Sequence, residues 1–327
     1  MTNQTNLPDS NYNIYYGIGL SIVCIAGIVA YVMVCIVIWN DRKSTFKGSF
    51  YQLALSLSVP DIATLLSQMF YCIPCIFVGQ QRLPNFLRLA AGFLNVSSWF
   101  VLSSHMLLIC FNRLFAVIRW KDYNNYFGIR TLFLSVSGSY TYALIISIGM
   151  YACDCQFHFP ENSWIYVCNP KIPCGEIFHQ ANIICSLSTV VMIIILYVAI
   201  FAILRYLSTS SADSQQSSVS HKQKMIIIQF ALISFVLVIH VSLFWILSPL
   251  IGSGVLSVSV ASAIQNGFAV LNSAINPVLY TAFSTDVQNK LFRKSVVKQR
   301  ISTIRSGVNE NNHSVGARNR QLANNLE

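Results

Sequence analysis

Charged residues are scarce in this chain. Of its 327 residues only 10% are Asp, Glu, Lys or Arg, whereas a soluble domain carries about 25%. Hydrophobic residues make up 54%, and the mean hydropathy is +0.57. This composition excludes an ordinary soluble protein. The net charge of +10 does not indicate nucleic-acid binding, because the basic residues are not arranged on one folded surface.

The apolar residues are gathered in seven long runs. About 20 helical residues cross a hydrocarbon core about 30 Å thick, and each run is long enough to do so. The runs cover residues 14–39, 50–78, 86–112, 130–152, 179–207, 224–250 and 257–283, and the third could continue as a helix to Ile118. Single strands are excluded because their backbone groups would be unpaired in lipid. The sequence therefore predicts an all-α membrane protein, a seven-transmembrane helix bundle.

Basic residues fall mainly on one side of the predicted membrane. All but three of the 21 Lys and Arg residues lie in every second connection, beginning with the first, and in the C-terminal tail; the exceptions are Arg82, Arg88 and Lys171. Loops rich in Lys and Arg stay cytoplasmic. We therefore expect a multi-pass cell-membrane protein with an extracellular N-terminus (1–13), a seven-helix domain (14–300) and a cytoplasmic tail (301–327). Asn3 opens a glycosylation sequon on the outer side.

Acidic residues are almost absent from the apolar runs. Asp61, in SLSVPDIATLL, is the only one. A charge inside a membrane bundle is costly and by default indicates a functional site; the alternative is a protonated or water-bridged structural carboxyl. The last run contains LNSAINPVLY, whose polar residues we expect to surround Asp61: Asn272, Ser273, Asn276 and Tyr280. The first three of these share one helical face, and Pro277 would loosen the helix beside them.

These two stretches carry a resemblance. SLSVPDI resembles the second-helix pattern of rhodopsin-like G-protein-coupled receptors, and NSAINPVLY resembles their seventh-helix N-S-x-x-N-P-x-x-Y motif. STDVQNKLFRK resembles the short amphipathic helix that follows, with Val287 and Leu291 on one face and Lys290, Arg293 and Lys294 able to reach anionic membrane lipid. The resemblance covers about residues 14–300 and implies a receptor whose partner is a heterotrimeric G protein.

The third run ends in LLICFNRLFAVIRW. Where these receptors usually have Asp/Glu-Arg-Tyr, this chain has Asn112-Arg113-Leu114. The resemblance implies that Arg113 faces the G protein, and Asn112 can hydrogen-bond a guanidinium but cannot pair its charge. The alternative is an arginine that snorkels to the headgroups. In the first run, Tyr31 or a neighbour stands where the family usually has asparagine.

The loop after the fourth run is CDCQFHFPENSWIYVCNPKIPC. With the Asn-Arg pair, it resembles the nematode chemosensory serpentine receptors, class x. The usual cysteine at the outer end of the third helix is missing, but the loop faces the oxidising side, where disulfides form. Its four cysteines allow three pairings, and Cys72 or Cys75 could instead take one partner. We expect at least one bond within the loop, stiffening a lid over the bundle, from among Cys153, Cys155, Cys168 and Cys174.

The resemblance implies a chemosensory receptor with its ligand among the outer halves of helices three, five, six and seven. The candidate residues are amides, hydroxyls and aromatics without charge: Asn95, Ser98, Trp99, Trp245, Gln265 and Asn266. The expected ligand is a small neutral or weakly polar molecule, because no acidic residue for an amine stands on the third helix. The alternative for each residue is ordinary helix packing. For the chain, the alternatives are a receptor for a peptide or other messenger, a transporter or channel that uses Asp61, and a scaffold without ligand.

No cofactor is expected, except that a sodium ion could sit near Asp61. No His, Cys and Asp residues show catalytic or metal-binding spacing, so enzyme activity is not expected. His105 and His240 are interpreted as hydrogen-bonding residues within the bundle. The sixth run lacks the family's C-W-x-P, and in HVSLFWILSPL Trp245 and Pro249 are its nearest equivalents.

Overall fold

The computed structural model describes residues 10–42, 46, 48–79, 82–119, 122–158, 164–168, 173–210, 221–253 and 255–291. Asn3, Arg293 and Lys294 lie outside these residues. Within them, seven helices are long and apolar enough to cross a membrane. The predicted fold class is confirmed.

The seven spans are formed by helices with the following bounds. The first is α1 (Ser10–Asn40); the second joins α2 (Ser49–Ser67), a π-helix (Gln68–Cys72) and α3 (Ile73–Val78); the third is α4 (Asn85–Ile118). The others are α6 (Ile129–Ala152), α7 (Pro173–Ser210), α8 (His221–Gly252) and α9 (Val258–Phe283). A short helix, α5 (Tyr123–Tyr126), follows the third span, and α10 covers residues 285–291. The third span does continue to Ile118.

The third span is the central helix. α4 packs against α2, α6 and α7, and more of its apolar length is buried than that of α1 or α6. The main core forms where α2, α4, α7 and α8 meet, and its fully buried members include Leu57, Met106, Ile109, Ile200 and Phe230. The apolar surfaces left exposed on α1 and α6 are those that a bilayer would cover.

We name the two ends of the bundle by what lies there. The disulfide end holds the start of α1 and a bond between Cys153, at the end of α6, and Cys174, in the first turn of α7. The predicted bond within the loop is therefore confirmed. Cys155 is also disulfide-bonded, whereas the side chain of Cys168 lies outside the described residues. Cys72 and Cys75 are free, so the alternative pairing with the second span is wrong.

The loop between α6 and α7 lies against the bundle. β1 (Phe157–His158) and β2 (Val167–Cys168) pair antiparallel within it. The ring of Trp164 stacks on Tyr16 at 4.7 Å and on Tyr12 at 5.3 Å between centroids. The backbone N–H of Trp164 donates to the hydroxyl of Ser262 at 3.0 Å. One aromatic residue thus fastens the loop to the first and seventh spans.

The opposite end of the bundle holds Arg113, near the end of α4, and we call it the Arg113 end. There α10 is held against the bundle as its pattern predicts. Val287 is buried and Leu291 packs on the main core. The hydroxyl of Ser284 accepts from the N–H of Val287 at 3.4 Å and so caps the helix. Lys290 pairs with Asp41 at 2.9 Å, so this lysine is tied to the end of the first span.

Candidate functional site

A buried carboxylate joins three spans in the middle of the bundle. Asp61, on α2, is 1% exposed. The hydroxyl of Tyr31, on α1, donates to its Oδ2 at 2.5 Å, and Nδ2 of Asn276, on α9, donates to the same atom at 2.7 Å. Asp61 Oδ1 has no hydrogen-bond partner among the described residues. Tyr31, which stands where the resembling receptors usually have asparagine, therefore contacts Asp61 directly.

The other predicted members of this polar pocket lie close by in different roles. Asn272, Ser273 and Asn276 share one buried face of α9, and the first two also line a cavity described below. The ring of Tyr280 packs against Phe230 at 6.1 Å, and its buried hydroxyl has no partner among the described residues. Among the four, Asn276 forms a hydrogen bond to Asp61, and the hydroxyl of Ser273 also interacts with that carboxyl.

Pro277 lies inside α9, which continues through it to Phe283. Its carbonyl accepts from the hydroxyl of Thr281 at 2.9 Å. A proline in a helix leaves the carbonyl one turn earlier without its usual donor. The α-helix is thus weakened one turn from Asn276, beside the carboxylate network.

A cavity of about 390 Å³ lies between this network and the loop at the disulfide end. It is bounded by the second, third, fifth, sixth and seventh spans, and the loop covers it with Phe157, Ile165 and Tyr166. Burial raises the pKa of Tyr166 well above its ordinary value. Ser98 is 4% exposed and does not line the cavity. The other five predicted ligand residues line it: Asn95, Trp99, Trp245, Gln265 and Asn266.

An amide pair forms one wall of the cavity. Nδ2 of Asn266 donates to Gln68 Oε1 at 3.3 Å, and Nε2 of Gln68 donates back to Asn266 Oδ1 at 2.9 Å. Asn266 also donates to the hydroxyl of Tyr16 at 3.3 Å. Gln68 begins the π-helix, and π-helical turns are frequent at functional sites. The sequence offered one signal for Gln68, an amide within an apolar run.

The facing wall is formed by α7 and α8. Nε1 of Trp99 donates to the hydroxyl of Ser186 at 3.1 Å, and its ring meets His240 edge-on at 5.6 Å. His240 lines the cavity, and its Nδ1 has no partner among the described residues. Its interpretation as a hydrogen-bonding bundle residue therefore stays a prediction. His105 does fit that interpretation, because its ring bonds the hydroxyl of Ser56 at 2.8 Å.

The opposite end carries the Asn-Arg pair. Nη2 of Arg113 donates to Asn112 Oδ1 at 2.5 Å, and the guanidinium lies 5.0 Å from the ring centre of Phe50. Nδ2 of Asn112 donates to the hydroxyl of Tyr123, on α5, at 2.7 Å, and that hydroxyl also contacts Ser49. Arg113 is 7% exposed, which does not match an arginine that reaches out to headgroups.

Comparison with known families decides what kind of protein carries this arrangement. The family model described as "Serpentine type 7TM GPCR chemoreceptor Srx" matches residues 22–276. The chain belongs to the Srx chemoreceptor family. No curated protein matches it.

The match spans most of this Srx receptor's bundle and contains Asp61, the Asn112-Arg113 pair and the disulfide-bonded loop. It also places the chain in a receptor family, not an enzyme family. Across the described residues, no group of three or more His, Cys, Asp or Glu side chains is placed to hold a metal ion. Pro249 lies within helix α8, but its side chain is outside the described residues.

Proposed function

We propose that this chemoreceptor binds a small neutral or weakly polar molecule in its cavity and signals to a heterotrimeric G protein at the Arg113 end. One observation carries the proposal. The cavity is covered by the disulfide-bonded loop, and at its inner limit it touches Asn272 and Ser273. These side chains lie one helical turn from Asn276, which holds Asp61.

The size and lining of the cavity support this class of ligand. Small-molecule sites in proteins have volumes of about 300–1,000 Å³, and 390 Å³ is near the lower limit. No Asp, Glu, Lys or Arg stands among the described lining residues. A charged ligand would be buried there without a counter-ion, which is costly. A neutral molecule meets no such penalty.

Signal transfer would follow the contacts of α9. A ligand that contacts Asn272 and Ser273 differently in two receptor states shifts the equilibrium between them. The shift is limited by the difference in the ligand's affinity for the two states. Pro277 weakens α9 one turn from Asn276, so the part of α9 near the Arg113 end can move relative to the rest. That motion would change the surroundings of Tyr280 and of Arg113.

The direction of insertion follows from charge and sulfur chemistry. Basic residues concentrate at the Arg113 end and in the C-terminal tail, which favours a cytoplasmic position for that end. Disulfides persist on the oxidising side of a membrane, which favours an extracellular position for the disulfide end. Both arguments support an N-terminus outside the cell and a C-terminus inside it.

A sodium ion near Asp61 fits the local chemistry. Asp61 Oδ1 and Asn276 Oδ1 are buried oxygen atoms without hydrogen-bond partners among the described residues. Hard cations prefer oxygen ligands of this kind. When bound, the ion would supply positive charge to a carboxylate that lacks a described basic neighbour. Asp61 and Asn276 would hold it, and the hydroxyl of Ser273 interacts with the same carboxyl.

The test is G-protein activation in cells that express the full chain, over a panel of small volatile and pheromone-like compounds. We expect a compound response that disappears in Arg113→Ala while the variant still reaches the cell surface. Arg82→Ala, an exposed arginine at the disulfide end, is the matched control and should respond as the wild type does. A compound-evoked ion current that persists in Arg113→Ala and Asp61→Asn, without any G protein, would instead establish the channel alternative.

A further inference from the structure

Three side chains that line the cavity each have a buried polar atom without a hydrogen-bond partner among the described residues. His179 and Asn182, on α7, and His240, on α8, line the cavity. Nδ1 of His179, Oδ1 of Asn182 and Nδ1 of His240 are buried and have no hydrogen-bond partner among the described residues. His179 and Asn182 are three residues apart and so lie on one face of α7. We call these three side chains the nitrogen wall.

The buried atoms determine which hydrogen-bonding groups the nitrogen wall has left for a ligand. A buried N–H without a partner is rarer in proteins than an acceptor without one. A neutral histidine carries one N–H, so each of the two histidines favours the tautomer with its proton on Nε2 and a bare Nδ1 in the buried position. In Asn182 the buried atom is the carbonyl oxygen, which leaves the NH₂ group. All three side chains therefore present N–H donors as their remaining polar groups.

The rest of the cavity does not compensate for these donors. The amides of Gln68 and Asn266 bond each other. The indole N–H of Trp99 is taken by Ser186. Asn95, Gln265, Asn272 and Ser273 also line the cavity, but primary amides and hydroxyl groups can both donate and accept, so they suit either kind of ligand atom. The bias of the site toward one chemistry comes from the nitrogen wall alone.

We infer that the nitrogen wall binds a carbonyl oxygen, and that the ligand of this receptor is a neutral ketone, aldehyde or ester. This rests on the proposed function, which makes the cavity the ligand site. A carbonyl oxygen accepts hydrogen bonds and donates none, and two lone pairs allow it to meet two donors of the wall. A carboxylate is disfavoured because no described Lys or Arg lines the cavity to balance its charge.

Binding to the purified full chain in lipid nanodiscs tests this without a G protein. The probes are straight-chain methyl ketones of increasing length. Each ketone is compared with its isosteric alkene, in which a methylene group replaces the oxygen, and with the amine of the same skeleton. Ligand affinity follows from the concentration dependence of the thermal unfolding midpoint. We expect at least one ketone to bind about tenfold more tightly than its alkene, and its amine to bind more weakly than the ketone.

Two substitutions in the nitrogen wall test whether its side chains bind the carbonyl oxygen of the ketone. His240→Phe and Asn182→Leu keep a similar side-chain volume and remove a donor. Each should reduce the preference for the ketone over its alkene by several-fold while alkene binding stays the same. Gln180→Leu, on an exposed face of the same helix, is the matched control and should keep the full preference.

The outcomes separate the two proposals. Equal binding of every ketone and its alkene, tighter binding of the amines, or no binding by any ketone overturns the carbonyl inference. If another class of compound then binds and activates a G protein, the proposed function still stands. Ketone binding that depends on His240 and Asn182 but never leads to G-protein activation supports the carbonyl inference and contradicts the proposed coupling.

Discussion

Asn112 and Tyr123 are hydrogen-bonded at 2.7 Å across the turn that follows the third span. Asn112 thereby connects two partners, since its Oδ1 also accepts from Arg113. Asn112 stands where the resembling receptors usually carry an acid, and as a neutral amide it can form hydrogen bonds but no ion pair. It orients the guanidinium and joins it to the short helix α5, but it gives Arg113 no negative charge, and no described residue forms an ion pair with it.

The first prediction concerns that missing charge. Asn112 already accepts a hydrogen bond from a charged guanidinium, and an aspartate there would add the attraction of an ion pair, about 1 kcal/mol. Asn112→Asp should therefore hold Arg113 more firmly by about 1 kcal/mol, and ligand-free activation should fall about fivefold. The measurement is nucleotide exchange on a G protein by the purified receptor without ligand. Asn125→Asp, on the exposed side of α5, controls for added charge, and equal activation by the two variants would refute the role of Asn112.

The second prediction compares two buried tyrosines. Tyr31→Phe removes a donor from Asp61 and should lower the free energy of unfolding by about 1–3 kcal/mol, because the carboxylate loses a partner that it cannot replace from water. Tyr280→Phe removes a hydroxyl that has no described partner and should cost nothing. Thermal and denaturant unfolding in nanodiscs would show the difference. Equal losses in the two variants would mean that the bond from Tyr31 to Asp61 is unimportant for stability.

The third prediction concerns the bond at the disulfide end. Cys153 and Cys174 are 21 residues apart, and closing a loop of similar length restricts the unfolded chain by about 3 kcal/mol. Replacing both cysteines by alanine should lower the unfolding midpoint and speed ligand release, since the loop covers the cavity. Cys185→Ala, which removes an exposed free thiol, should do neither. A double variant that releases ligand at the wild-type rate would show that the bond does not hold the cover in place.

The fourth prediction concerns two glycines. A Cβ on Gly92 would overlap the carbonyl of Phe157 and the hydroxyl of Tyr151, whereas a Cβ on Gly138 would meet nothing. Gly92→Ala should therefore displace the loop and weaken ligand binding. Gly138→Ala should stabilise α6 by up to about 1 kcal/mol, as alanine does inside a helix. Ligand affinity and unfolding midpoints of the two variants would be compared, and unchanged affinity in Gly92→Ala would contradict the close packing of loop and helix.

The sequence predicted the spans well because their length is set by the bilayer and their composition by its interior. Asp61 and Asn276 could be paired for a similar reason, since a buried carboxylate in lipid requires a polar partner and few were available. The face shared by Asn272, Ser273 and Asn276 also follows from helical spacing alone. These predictions needed only the periodicity of one helix at a time.

Other members of the site depend on how separate helices are rotated against each other. His179 and Asn182 line the cavity because the face of α7 that carries them is turned toward α8. Nothing in the neighbouring sequence indicates which way that face points. Tyr123 bonds Asn112 only because the chain turns back after the third span. Gln68 faces Asn266 where the second span departs from α-helical geometry, and a pattern based on 3.6 residues per turn does not detect that departure.

The π-helix has a consequence for how the second span tolerates change. Five residues, Gln68–Cys72, absorb one residue more than an α-helix would need there. Because the π-turn takes up that extra residue, the helix beyond it keeps the orientation that a regular helix one residue shorter would have. A deletion within these five positions should therefore leave Cys75 and Ile76 buried, whereas a one-residue deletion in the regular helix α2 would rotate them by about 100° toward lipid. The second span should thus tolerate the loss of a residue at the π-helix better than elsewhere along its length.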